Sequence, residues 1–261
     1  SSDLIAPAND RTVAMVSTGT SVEVDAPLLT DDTYAVRAVQ TDLAGNVSTT
    51  SSTLSGLVID TVAAQPGRPD LQANSDSRVN TDNITNKTTP LFDLSGLELQ
   101  AYVTLTLDAP GVDHDVSQQY YATGPTLTGP LPAPGPLADD TYAVTVRQVD
   151  VAGNTSLPSE PLSPALVIDT TSPTVAAAPD LRDASDRGRS NTDNVTSSTS
   201  PTFDLAGLEA LATVTLFLDS TLAGNDRTVT GTVGAGETTL SLTAENCPQE
   251  ALGYAVKVKQ L

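Results

Sequence analysis

Cysteine is nearly missing from this chain: Cys247 stands alone, so no disulfide can form within it. There is no Trp, and only three Phe and six Tyr, so any core is built mainly from Val, Leu and Ile. Basic residues are scarce, 12 against 32 acidic ones, which gives a formal net charge of -20. That balance excludes nucleic acid as a partner, because phosphate binding needs a basic face. No apolar run approaches the length of a membrane span, which excludes helical membrane insertion, and no basic-then-apolar leader opens the sequence at Ser1. The single histidine, His114, lies in Asp113-His114-Asp115 and reads as a hairpin tip rather than a general base. Cys247 precedes Pro248 with no His in its repeat, so no nucleophile and base pair recurs. The expectation is that this is not an enzyme.

Internal repetition dominates what is there. Asp31-Asp32-Thr33-Tyr34-Ala35-Val36 recurs as Asp139-Asp140-Thr141-Tyr142-Ala143-Val144, and Asp42-Leu43-Ala44-Gly45-Asn46 as Asp150-Val151-Ala152-Gly153-Asn154, both displaced by 108 residues. Thr81-Asp82-Asn83 recurs as Thr192-Asp193-Asn194, and Phe92-Asp93-Leu94-Ser95-Gly96-Leu97 as Phe203-Asp204-Leu205-Ala206-Gly207-Leu208, displaced by 111. A unit of about 110 residues is the size of one immunoglobulin-like sandwich.

Within the unit the apolar period is two, the mark of half-buried strands. Tyr142, Val144, Val146 and Gln148 share one face, opposite Ala143, Thr145, Arg147 and Val149. Val103, Leu105 and Leu107 alternate with polar residues, as do Val214, Leu216 and Leu218. No stretch keeps a helical period, and Pro and Gly interrupt the chain often. The expected fold class is all-β, tandem immunoglobulin-like β-sandwiches of which the first and last are incomplete. The phase of the repeat divides the chain into 1–60, the C-terminal part of one domain, 61–172, a complete domain, and 173–261, a domain lacking its final strand.

Tyr34 and Tyr142, each at a strand start after an Asp-Asp-Thr turn, are expected to form tyrosine corners, with an altered corner at Tyr254, where Leu252-Gly253 precedes. In the Asp42 and Asp150 motifs, Gly supplies a positive backbone angle and Asp or Asn tightens a hairpin, although direct ligation of a cation at a domain junction is a second reading. Asp60 and Asp169 follow apolar strand-like runs and open the linker to the next repeat. In the loop beyond each, Asp70 and Asp76, like Asp180 and Asp186, are six apart, with a Ser before the second Asp and Thr-Asp-Asn carrying Asp82 or Asp193 after it. Such crowded carboxylates suit calcium, which takes six to eight hard oxygens, and the spacing is not that of an EF-hand. The first copy is one residue shorter, lacking a counterpart of Gly188, and losing a left-handed position is expected to distort that loop.

Taken together, the Val-Ile-Asp-Thr linker, the Pro-Asp-Leu to Thr-Asp-Asn loop and the Asp-Asp-Thr-Tyr and Asp-x-Ala-Gly-Asn turns resemble the bacterial Ig-like repeats of large surface adhesins, those of biofilm-associated proteins and type I-secreted adhesins with RTX repeats. The resemblance implies an extracellular or cell-surface extender module, stiffened by Ca2+ at or near domain junctions and supporting adhesion and biofilm formation. It implies metal roles for Asp60, Asp70, Asp76, Asp82, Asp169, Asp180, Asp186 and Asp193. The partners implied are neighbouring repeats of the same chain, with host or surface ligands met through domains elsewhere. Two alternatives stand beside it: a glycan- or protein-binding module, with Tyr120 and Tyr121 stacking on a sugar, or an accessory module of a secreted enzyme.

Overall fold

Alternation at every second residue makes strands, and strands are what the chain forms. The structure, a computed structural model, describes residues 10–109, 111, 115–127, 135–248 and 253–261, and among them there is no helix. His114 and Leu252 lie outside the described residues. By its internal contacts the chain divides into two units, Ser1–Thr170 and Thr171–Leu261.

The first unit opens with an antiparallel pair, β1 (Asp32–Val36) and β2 (Leu54–Ile59), in which Tyr34 faces Leu57. Most of its side chains are exposed, because among the described residues no second sheet covers it.

The sandwich that follows is built from β3 (Asp70–Leu71), β4 (Ile84–Thr85), β5 (Phe92–Ser95), β6 (Tyr102–Asp108), β7 (Val116–Tyr121), β8 (Thr126–Leu127), β9 (Asp140–Val149) and β10 (Leu166–Ile168). One sheet has the order β3-β5-β8 and the other β4-β10-β9-β6-β7. Strand β10 runs antiparallel to β9 and parallel to β4. A first strand split between two sheets, its second half lying parallel to the last, is the immunoglobulin arrangement of two facing sheets. The inward residues Phe92, Leu94, Val103, Leu105, Leu107, Tyr142, Val144, Val146, Leu166 and Ile168 form one core. Burial of each such side chain contributes about 1.5–3 kcal/mol, which is how a domain without disulfides holds its sheets together.

The second unit repeats the plan in β11 (Asp180–Leu181), β12 (Thr202–Ala206), β13 (Thr213–Ser220), β14 (Arg227–Thr232), β15 (Thr239–Thr243) and β16 (Tyr254–Gln260). Its sheets are β11-β12-β15 and β14-β13-β16 around a core of its own that includes Phe203, Leu205, Val214, Leu216 and Leu218. Among the described residues no strand flanks the free edge of β16, and Val195-Thr196, which match β4, are not a strand.

The tyrosine corners form at Tyr142, whose hydroxyl donates to the Ala138 carbonyl at 3.0 Å, and at Tyr34, whose hydroxyl donates to Thr30 at 2.9 Å. The corner at Tyr254 is altered, and among the described residues its buried hydroxyl finds no partner.

Candidate metal centre

Strand β2 ends at Ile59, and the chain turns at Asp60 into the linker of the sandwich. Asp60 Oδ1 accepts the Val62 N–H at 3.2 Å, and the Thr61 hydroxyl donates to Asp31 Oδ1 at 2.9 Å. The repeat of that tie is Thr170 on Asp139 at 2.8 Å, so the Asp-Asp-Thr-Tyr and Ile-Asp-Thr motifs meet across the sheet edge.

The linker then lies against the end of β5. Gly67 donates its N–H to the Ser95 carbonyl at 2.8 Å. Gly96 sits at φ +67, and a Cβ there would come within 2.7 Å of the Gly67 nitrogen, so both glycines serve one close backbone approach. The approach brings Ala64 to Glu98, and the Ala64 N–H donates to Glu98 Oε1.

Gln148 holds this corner from inside. It lies on the inward face of β9, is fully buried, and its Oε1 accepts the Glu98 N–H at 2.9 Å while Nε2 donates to the carbonyls of Ala64 at 2.8 Å and Gly96 at 3.3 Å. A buried amide is tolerated there because its donors and acceptor are satisfied. The second unit repeats the device: Gln260 Oε1 accepts the Glu209 N–H at 3.0 Å and its amide donates to Thr174.

Asp150 comes from the turn after β9. Asp150 Oδ1 accepts the Asn154 N–H at 2.8 Å, Oδ2 accepts the Asn154 Nδ2 at 2.8 Å, and Gly153 takes φ +95. The Asp42 turn has the same bonds to Asn46, at 2.8 and 2.9 Å, with Gly45 at φ +88. The hairpin-tightening role of both motifs therefore holds. Burial pulls the Asp150 carboxyl upward, but the side-chain and backbone bonds from Asn154, with those from Gly153 and Ala152, outweigh it and leave the pKa below the usual Asp value. Asp150 stays ionised although only 6 % exposed.

These three elements bring Asp60, Glu98 and Asp150 together, with one carboxylate oxygen from each lying within 4.8 Å of the others. Two like charges about 4 Å apart repel by about 4 kcal/mol at an effective dielectric constant near 20. Three hard oxygens in one place fit a divalent cation of the calcium type, whose charge would cancel that repulsion. Of the residues the resemblance implies as ligands, only Asp60 belongs to this trio, joined by Asp150, for which ligation of a junction cation was the second reading of its turn. Glu98 was not singled out in the sequence, although it closes the Phe92 to Leu97 motif and recurs as Glu209.

The remaining expected ligands lie elsewhere. Asp70 and Asp180 stand on β3 and β11, facing Asp93 and Asp204 across the strand pair. Asp76 and Asp186 are buried, at 6 % and 3 % exposure, beneath loops that carry Asp82 and Asp193. Asp169 follows β10 and donates its N–H to the Thr85 carbonyl at 3.0 Å. The shorter first loop does differ from the second, but not by losing a left-handed glycine. Gly188 is not left-handed but lies against the Val195 backbone, while Arg78 takes φ 65 in the shorter copy and Asn83 and Asn194 take φ 57 and 58 alike. As for the sugar-stacking pair, Tyr120 packs on the core, and only Tyr121 faces out, edge-on to Tyr102 at 5.6 Å between ring centroids.

Two facing sheets of this topology, repeated along one chain, define a class: tandem immunoglobulin-like β-sandwiches. Residues 63–170 match the family model of the bacterial Ig-like domain. Among proteins with curated descriptions, none matches the sequence. Among solved structures, similarity is found to the FN1–FN3 domains of chicken CNTN1, at 14% identity and TM-score 0.38 over 88% of this chain and 70% of that one. It is also found to a tetra-tandem repeat in the extending region of a large adhesion protein, at 16% identity and TM-score 0.31 over 89% of this chain and 56% of that one.

Proposed function

We propose that this chain is an extender segment of a bacterial cell-surface or secreted adhesin, in which calcium at Asp60, Glu98 and Asp150 fixes the exit of one repeat onto the body of the next. The observation that supports this is the trio itself: Asp60 belongs to the end of the β1–β2 pair, whereas Glu98 and Asp150 belong to the following sandwich. A cation there ties two successive repeats at the point where the chain would otherwise hinge. What calcium supplies is charge and a demand for hard oxygens. The protein supplies the rest: Gln148 sets Glu98, Asn154 sets Asp150, and the Gly67–Gly96 approach sets the linker. Asp169, which follows β10 as Asp60 follows β2, is proposed as a calcium ligand as well. In this reading the partners are neighbouring repeats, and adhesion and biofilm formation are carried by domains this segment holds away from the cell.

The net charge of -20 favours the same reading, since bound cations lower the self-repulsion of the chain. Calcium at a hundredfold above its dissociation constant adds about 2.7 kcal/mol per site. The test is scattering and calorimetry of the whole chain in calcium and in chelator. A rise in Tm and in maximum dimension with calcium, both reduced in Asp60→Asn, is expected. Identical curves in the two buffers would sink the proposal.

A further inference from the structure

Five Asn-x-Ser/Thr tripeptides, the acceptor pattern for sugar transfer to asparagine, occur in this chain: Asn46-Val47-Ser48, Asn83-Ile84-Thr85, Asn86-Lys87-Thr88, Asn154-Thr155-Ser156 and Asn194-Val195-Thr196. Transfer uses the asparagine amide nitrogen as nucleophile and the hydroxyl two residues on as a handle for the transferase, so both have to be free of other bonds. The folded chain withholds one or both in four of the five.

At Asn46 and Asn154 the amide closes the Asp turn. Asn46 Nδ2 donates to Asp42 Oδ2 at 2.9 Å, and Asn154 Nδ2 donates to Asp150 Oδ2 and to the Asp60 carbonyl. Their hydroxyls are taken as well: Ser48 Oγ accepts the Gln40 N–H at 3.1 Å, and the buried Ser156 Oγ accepts the Gln148 N–H at 3.0 Å. Asn83 is buried with its Nδ2 donating to the Pro164 carbonyl at 2.7 Å, and Thr85 is buried too. Asn194 is exposed, but the Thr196 hydroxyl donates to the Ser185 carbonyl and accepts the Ser198 N–H at 3.0 Å.

Asn86-Lys87-Thr88 differs on both counts. It follows β4 directly, and Asn86 is exposed. Ser77 holds its backbone and its carbonyl end: Ser77 Oγ accepts the Asn86 N–H at 3.3 Å and donates to Asn86 Oδ1 at 3.1 Å. Among the described residues nothing bonds Asn86 Nδ2 or the Thr88 hydroxyl, while the Thr88 carbonyl accepts the Leu137 N–H at 2.7 Å and pins the loop. A held backbone that leaves the amide and the hydroxyl free is what a transferase acting on the folded chain requires.

We infer that Asn86 is a glycosylation site, the one position of the five that the folded chain offers to a sugar donor activated as a diphosphate. In the transfer, Nδ2 bonds to the anomeric carbon, and the bond from that carbon to the diphosphate oxygen breaks. The diphosphate leaves with the electron pair, and Nδ2 passes one proton to a base of the transferase. The product has a place in the fold. Strand β4 is an edge of its sheet among the described residues, and Ile84 on it is 43% exposed. An exposed edge invites pairing with other chains, and a bulky hydrophilic sugar on the residue after β4 blocks that approach. The second repeat has Ser197 at the matching position, where Val195-Thr196 form no strand to shield. The inference does not depend on the junction cation.

Peptide mapping by mass spectrometry tests it. The chain purified from the cells that produce it should carry a sugar on the peptide containing Asn86 and none on the other four tripeptides. In vitro, the folded whole chain is given either a soluble N-glycosyltransferase with UDP-glucose or an oligosaccharyltransferase with a lipid diphosphate-linked oligosaccharide. One glycan per chain is expected in one of the two arms, and the arm that works identifies the donor. Asn86→Gln and Thr88→Ala should each bring that count to zero, Asn194→Gln should leave it at one, and Thr88→Ser, which keeps the hydroxyl, should retain it. All four variants should melt with the parent, so that the loss is not one of folding. An unmodified Asn86 in the cell-derived chain, transfer in neither arm, a sugar on any of the other four, or transfer that survives Thr88→Ala would overturn the inference.

Discussion

Asn154 divides one amide group between two repeats: its Nδ2 donates to the Asp60 carbonyl at 2.9 Å and to Asp150 Oδ2 at 2.8 Å. The turn that closes one hairpin thereby holds the strand exit of the repeat before it. Because Asp150 is buried, Asn154→Ala strands an ionised oxygen and should cost about 1–3 kcal/mol in urea unfolding. Asn46→Ala, in a turn of the same form whose Asp42 is exposed, should cost clearly less. Equal losses at the two sites would show that the burial of Asp150 and its reach to Asp60 add nothing.

Tyr142 and Tyr254 should respond differently to loss of the hydroxyl. Tyr142→Phe removes the bond to Ala138 and should destabilise by about 1 kcal/mol. Tyr254→Phe should be neutral or stabilising, because that hydroxyl is buried without a partner among the described residues. Urea midpoints of the two variants decide this, and a larger loss at Tyr254 than at Tyr142 would contradict it.

Acid should weaken the second unit through Asp204. Arg182 Nη2 donates to Asp204 Oδ1 at 2.5 Å and Nε to Oδ2 at 3.0 Å. The Arg182 bonds, then that of the Ser241 hydroxyl, hold Asp204 below its ordinary value of 3.8 against the opposing effect of burial. A carboxyl depressed on folding contributes stability that is full above its unfolded pKa and is lost as pH falls through the folded one. Both side chains are more than two-fifths exposed, at 43% and 44%, so screening keeps the effect modest. Arg182→Met should flatten the decline of Tm below about pH 4. An unchanged acid limb would remove the pair from the account.

Much of the fold was legible because its signals are local. Period-two burial along β6, β9 and β13 follows from residues next to one another in the chain. The Asp42 and Asp150 turns and the Tyr34 and Tyr142 corners close within four residues, so their residue types suffice to specify them. The candidate site was legible only in part. Asp60 stood out by following a strand and Asp150 by its turn, but Glu98 did not, and that the three meet depends on separations that no local pattern records.

The sequence by itself determined the repeat, the strands, the turns and the excess of negative charge, because each depends on near neighbours or on composition. Only the tertiary structure decided which acidic groups meet. Packing the linker on β5 through Gly67 and Gly96 and burying Gln148 set Glu98 beside Asp60, while the fold of the loop left one oxygen of Asp76 and of Asp186 facing inward without a donor among the described residues. Electrostatic energy depends on distance in space, and those distances exist only once the sheets have closed.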